Sequence, residues 1–140
     1  DKSYVKYLED INIAILDIKS HLKIQTTTFA EFNANLTTKR AIEREFMIIG
    51  EALNKALRLN PDIKISDAKK IISLRNKIVH DYDGIDGVNL WYIIHTHLPL
   101  LHTEINYYIR QFIETPTNAL LRPCFLKCIY LHFYKIYIDI

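Results

Sequence analysis

From Tyr4 to Phe112 the apolar residues of this chain recur at intervals of three and four positions. That is the period of a helix turning one stripe toward a core, so the feature restricts the fold to packed helices. The 140 residues hold only 3 Gly and 4 Pro, too few for the tight turns that many short strands require. The expectation is an all-α fold with one core.

The stripes can be followed in order. Val5, Leu8, Ile11, Ile15, Ile18 and Leu22 form the first, widened by Ile13 and Leu16 as if the helix met partners on more than one side. Thr28 stands three residues before Glu31, the spacing of a capping box, and Phe29 and Phe32 are expected to plug the core from a short helix or turn. Thr37 or Thr38 can cap a long helix that Asn60-Pro61 stops near Leu59. Its core stripe reads Ile42, Phe46, Ile49, Leu53, Ala56. Its other side carries Arg44, Met47, Ile48 and Glu51, a mixture that fits cover by a second subunit or a solvated face. Gly50 costs about 1 kcal/mol in a helix interior, which points to close approach of another helix.

Pro61 to Ile65 reads as a connector, and Ser66 or Asp67 can cap the next helix. Ala68, Ile71, Ile72, Arg75, Ile78 and Val79 give that helix a continuous face, with Lys69, Lys70 and Lys77 on a basic side. Asp83-Gly84 and Asp86-Gly87 break it. From Val88 the final stripe runs Trp91, Ile94, Leu98, Leu101, Ile105, Tyr108, Phe112, and Pro99 within it predicts a kink or a missing hydrogen bond rather than an end. Residues 1–114 are therefore read as the helical domain. Residues 115–140 are an apolar, aromatic C-terminal extension in which Ile136-Tyr137-Ile138 favours strand by propensity.

A net charge of +2 does not by itself argue for nucleic acid, although a local basic patch can serve a nuclease. Cys124 and Cys128 read as free thiols of a reducing compartment. No signal peptide is visible and no segment reaches ~20 uninterrupted apolar residues, so the expectation is a cytoplasmic chain with no membrane partner. His95, His97 and His102 lack carboxylate or cysteine companions at ligand spacing. They read as a polar margin of the Trp91 stripe, able to line a cleft and touch RNA, and neither a metal nor a cofactor is expected.

Chemistry concentrates in Arg75-Asn76-Lys77-Ile78-Val79-His80-Asp81-Tyr82. Cleaving RNA without a metal needs proton transfer at the 2′-hydroxyl and at the leaving oxygen, and positive charge on the phosphorane. His80 suits the first because imidazole titrates near neutrality. Arg75 suits the second because its planar fork matches phosphate oxygens. Asn76 can hold a hydroxyl or orient His80, and Tyr82 offers a hydroxyl to phosphate or to modification. Arg75 and His80, however, lie about 140° apart around a straight helix. They meet at one phosphate only if the helix opens near His80 or a second copy supplies one of them. The competing reading is structural: Arg75 pairs with Glu51, and His80 serves the helix C-terminus.

The octet resembles the Arg-x4-His-x-Tyr motif of HEPN ribonucleases, and more narrowly that of the HepT-like toxins of MNT–HEPN toxin–antitoxin systems. Ala41-Ile42-Glu43-Arg44 with Ile48-Ile49-Gly50-Glu51-Ala52 resembles the family's second-helix signature, and Ser73-Leu74-Arg75-Asn76, Trp91 and Leu98-Pro99 fit its later helices. The resemblance spans roughly Tyr4 to Phe112. It implies an up-and-down bundle of four to five helices that forms a homodimer with both motifs at an interfacial cleft. Catalytic roles fall on Arg75, Asn76, His80 and Tyr82, with Arg44 and Glu51 in support. It also implies metal-independent endoribonuclease activity of a toxin on an RNA substrate, and a cognate nucleotidyltransferase antitoxin that attaches AMP to Tyr82. The alternative is a non-catalytic helical partner module for such a nucleotidyltransferase.

Overall fold

A computed structural model describes residues 3–25, 28–81 and 84–114. Among these residues it contains six helices and no strand: α1 (Ser3–Gln25), α2 (Phe29–Ala34), α3 (Leu36–Leu59), α4 (Ala68–His80), α5 (Gly87–Thr96) and α6 (Leu98–Glu114). The all-α expectation holds. Residues 1–109 form one compact unit and residues 110–140 a second, whose described part, residues 110–114, continues α6 as helix. The expected extension 115–140 lies outside the described residues, as does Tyr82.

The core is built along α1 and α3, which pack against one another, with α4 laid on α3 and α2 touching α1, α3 and α5. Val5, Leu8, Ile11, Ile15 and Ile18 of α1 meet Ile42, Phe46, Ile49, Leu53 and Ala56 of α3, all buried. Each fully buried large apolar side chain contributes about 1.5–3 kcal/mol, so these two stripes carry much of the stability. Ile13 is 56% exposed and Leu16 half-buried, so the wider α1 stripe is covered only in part.

Local chemistry sets the helix ends. The Thr28–Glu31 capping box forms as expected: Thr28 Oγ1 accepts from the Glu31 N–H at 3.3 Å, and Glu31 Oε2 accepts from the Thr28 N–H at 3.0 Å. Phe32 is buried and Phe29 half-exposed, both stacked near the Trp91 ring at centroid distances of 5.1 and 5.9 Å. The cap of α3 differs from expectation. It is Asn35, whose Oδ1 accepts from the Thr38 N–H at 2.9 Å, while Thr38 itself is buried. Asparagine ranks at or above threonine at that position, and starting there saves α3 part of a turn. Asn60 ends α3, as the Asn-Pro pair predicts.

The connector to α4 is less passive than its Pro61 start suggests. Ile63 and Ile65 are buried in alternation with exposed neighbours. From α6, the Tyr108 hydroxyl accepts from the Lys64 N–H at 2.7 Å and the Glu104 carboxylate accepts from the Ser66 N–H at 3.2 Å. Asp67 occupies the N-cap position without capping through its side chain. Its carboxylate instead takes Lys70 Nζ at 3.0 Å and His97 Nδ1 at 2.7 Å, and these hydrogen bonds, Lys70 first, hold its pKa below the ordinary aspartate value.

The final stripe is divided. α5 ends at Thr96 and α6 restarts at Leu98, so the single kinked helix expected there is two helices meeting at His97. Pro99 has no N–H for the His95 carbonyl and its ring crowds that position, so it sits in the first turn of a new helix, where it is tolerated. The buried line is Leu90, Ile94, Leu98, Leu101, Ile105, Ile109. Trp91, Tyr108 and Phe112, expected in that line, are only half-buried beside it.

α6 is tied to α1 through His102. Lys19 Nζ donates to its Nδ1 at 2.9 Å, so its Nε2–H faces Asn12 Oδ1 at 3.0 Å. Burial first, and the Lys19 charge second, push the imidazole pKa from 6.5 down to about 4. Folding therefore excludes a proton that the unfolded chain binds between those two values, and stability is lost as pH falls from 6.5 to about 4. Urea midpoints should reveal a loss of about 1–3 kcal/mol from this group, discounted for its partial exposure, that His102→Gln lacks. At Gly50 a Cβ would collide with Arg75 Cβ and stand 3.3 Å from the Ile71 carbonyl. Gly50→Ala should therefore destabilise by about 1–3 kcal/mol in chemical denaturation, despite the better helix propensity of alanine.

Candidate functional site

α4 carries the motif, and its faces divide the motif's side chains. The side toward α3 contains Ile71, which is buried, and Arg75, whose side chain is 33% exposed. Arg75 Nη2 pairs with Glu51 Oε2 at 3.0 Å, and Nη1 donates to Asn76 Oδ1 at 2.8 Å. Glu51 also takes Lys55 Nζ at 3.3 Å. The guanidinium amid an apolar stripe thus has an anionic partner. Gly50, one residue from Glu51, makes the contact by letting the Arg75 stem lie against α3.

The continuous apolar face expected on α4 is covered only in part. Ile71 is the only fully buried side chain of this helix, and Val79 is 44% exposed. Ile72 and Val79 sit farther round the cylinder than Ile71, beyond the strip that α3 covers. They share an open side with Asn76 and His80, both exposed.

His80 is the last residue of α4, and the Asp81 N–H closes the helix on the Lys77 carbonyl at 2.8 Å. The helix does not open ahead of His80. One chain consequently keeps Arg75 and His80 on different sides, with Asn76 between them and bonded to the arginine. Glu51 reaches Arg75, as the structural reading required. Arg44 is exposed on α3, and among the described residues no hydrogen bond or ion pair joins it to Arg75 or Glu51. Tyr82 lies outside the described residues.

The histidines of α5 and α6 serve separate ends. His95 stacks on Trp91 at 4.1 Å between centroids and donates to the Trp91 carbonyl at 2.9 Å. His97 ties the helix break to Asp67, and His102 faces Lys19 and Asn12. Among the described residues no group of three His, Cys, Asp or Glu side chains is placed to hold a metal ion.

A residue that chemical reading of the sequence passed over is Glu43. It is buried on α3, one turn N-terminal to the Phe46 core position, and accepts from the Ile85 N–H at 2.9 Å. The signal was present in the resemblance to the second-helix signature, but burial of a charged residue cannot be read from spacing.

A family model for ribonuclease HepT-like proteins matches residues 7–108. The chain belongs to the HepT-like ribonuclease family. Curated relatives agree. A Thermococcus cleftensis protein named "Probable ribonuclease HepT" is 33% identical over 104 residues, covering 71% of this chain and 90% of the relative. Two Methanocaldococcus jannaschii proteins named as candidate RNases are 26% and 25% identical, covering 75% and 79% of this chain and 96% and 97% of the relatives. No solved structure matches. In this HepT-like chain the matched region contains the α3–α4 contact and the whole motif helix, and no described helix is long and apolar enough to cross a membrane.

The Arg75–Glu51 pair is half-exposed, at 33% and 41% for the two side chains. Such a pair contributes about 0–1 kcal/mol, so Glu51→Gln should lower unfolding stability by no more than that. A loss above about 3 kcal/mol would mark it as a core ion pair instead.

Proposed function

We propose that this HepT-like protein is the toxin of a type VII MNT–HEPN toxin–antitoxin pair, a metal-independent endoribonuclease that works as a homodimer. The observation that carries this reading is the closed helix at His80. One chain offers a phosphate either Arg75 or His80, and on the side of α4 bearing Ile72, Asn76, Val79 and His80 the last three are exposed and Ile72 is half-buried. In the proposed dimer an isologous contact at the rim of that side sets the His80 of one copy beside the Arg75 of the other. Membership in a ribonuclease family and the naming of its relatives support RNA as the substrate.

In the proposed reaction His80 accepts the proton of a 2′-hydroxyl. The 2′-oxygen bonds to the adjacent phosphorus, and the bond from phosphorus to the 5′-oxygen breaks. That oxygen leaves with a proton from water while His80 passes its own to solvent, giving a 2′,3′-cyclic phosphate and a 5′-hydroxyl. Arg75 binds the non-bridging oxygens as charge builds on them. The entering phosphate competes with Glu51 for this guanidinium while Asn76 keeps hold of Nη1. Neutralisation follows when the Tyr82 oxygen attacks the α-phosphorus of ATP delivered by the partner nucleotidyltransferase. Pyrophosphate leaves, the phenolic proton passes to solvent, and AMP stays on the tyrosine.

His80→Ala is expected to abolish EDTA-resistant RNA cleavage without loss of fold, because the side chain is exposed at a helix end. The shared site has a sharper test. Arg75→Ala and His80→Ala proteins, each inactive, should regain about a quarter of the wild-type rate when mixed and allowed to exchange subunits, since half the dimers then hold one intact site of two. No recovery in mixed dimers verified by mass would overturn the shared site. A wild-type dimer that cuts no RNA yet accepts AMP on Tyr82 would favour the non-catalytic partner module.

A further inference from the structure

The link between α4 and α5 is fastened from α3. Glu43 has a side chain only 7% exposed, and both of its oxygens are engaged. Oε1 accepts from the Ile85 N–H at 2.9 Å, and Oε2 accepts from Arg40 Nη1 at 2.8 Å. Gly84 lies against the same two groups with φ +81, and a Cβ there would stand 2.5 Å from Arg40 Nη1 and 2.9 Å from Glu43 Oε1. At the other end of the link the Gly84 N–H returns to the Asp81 carbonyl at 3.2 Å, and the Asp81 N–H to Lys77 at 2.8 Å. Only Tyr82 and Asp83 stand between these fastened points in the sequence.

An apolar residue at position 43 would fill this site without the cost of burying a carboxylate. A carboxylate is suited to one task here, which is to seize a backbone N–H of a short link with a charge-assisted bond and hold it at fixed depth against α3. We propose that Glu43 is a positioning residue. Through Ile85 it clamps the start of α5 behind the link that follows His80, and so sets how the end of α4 is presented while touching no substrate itself. The clamp follows from the geometry alone, and its consequence for cleavage rests on the ribonuclease reading.

Amide hydrogen exchange on the full chain reads the clamp directly. In Glu43→Ala the Ile85 amide loses its acceptor and should exchange at least about tenfold faster, the scale of a lost bond to a charged group, while amides of the α1 and α3 core keep their protection. Glu43→Gln retains an acceptor for Ile85 but sets its amide N–H groups against Arg40, and should fall between. Gly84→Ala attacks the same contact from the link side and should loosen the same amides. RNA cleavage by the Glu43 variants should show a reduced kcat at unchanged KM, with AMP acceptance by Tyr82 slowed in parallel and partial recovery in the glutamine variant. An unchanged Ile85 amide in Glu43→Ala, or acceleration spread evenly through α1 and α3, would overturn the clamp. A loosened link with kcat and AMP acceptance both intact would overturn the positioning role. Absence of cleavage by the unaltered protein would count against the proposed function alone, because the exchange and AMP readouts do not depend on it.

Discussion

The distance between α3 and α4 is set by the missing side chain at Gly50, and the candidate site hangs on that distance. With no Cβ in the way, the stem of Arg75 rests on α3 and its guanidinium reaches Glu51 in the next position of the same helix. A longer separation would leave the Arg75 guanidinium without its Glu51 counter-ion. Packing and charge thus solve one problem together. The residue that weakens α3 as an isolated helix is the one that lets the motif arginine be held.

That arrangement also keeps the Arg75 and His80 of one chain on different sides. α4 remains hydrogen-bonded through His80, and a regular helix cannot turn residues five apart to the same side. α3 covers the Ile71–Arg75 side, Asn76, Val79 and His80 face away from it, and the link beyond is fastened both to the end of α4 and, through Ile85, to Glu43. α4 and the start of α5 thus meet α3 at Gly50, Glu51 and Glu43.

Much of the fold was legible because its signals are local. The Thr28–Glu31 capping box, the Asn60-Pro61 stop and the stripes of α1 and α3 depend on neighbours within a turn, and each appears where spacing placed it. The misplacements arose where two local signals competed. Asn35 outranked Thr37 and Thr38 as the cap of α3, and Pro99 divided a stripe whose periodicity ran on without a break. Trp91 and Tyr108 fall on that stripe by periodicity, yet both are only half-buried. One stacks between Phe29, Phe32 and His95, and the other spends its hydroxyl on Lys64.

The sequence by itself determined that the chain is helical, where most helices stop, and which eight residues are the candidates for chemistry, because periodicity, caps and residue type are properties of short stretches. It also posed the geometric condition on Arg75 and His80, since helical angles follow from residue numbers. Tertiary structure decided what each charged group does. Whether Arg75 met Glu51, whether Glu43 was solvated or clamped to Ile85, and whether Asp67 capped its helix or reached His97 all depend on helices distant in sequence arriving side by side. Those choices turn on desolvation and hydrogen-bond distance, and no spacing along one chain contains them.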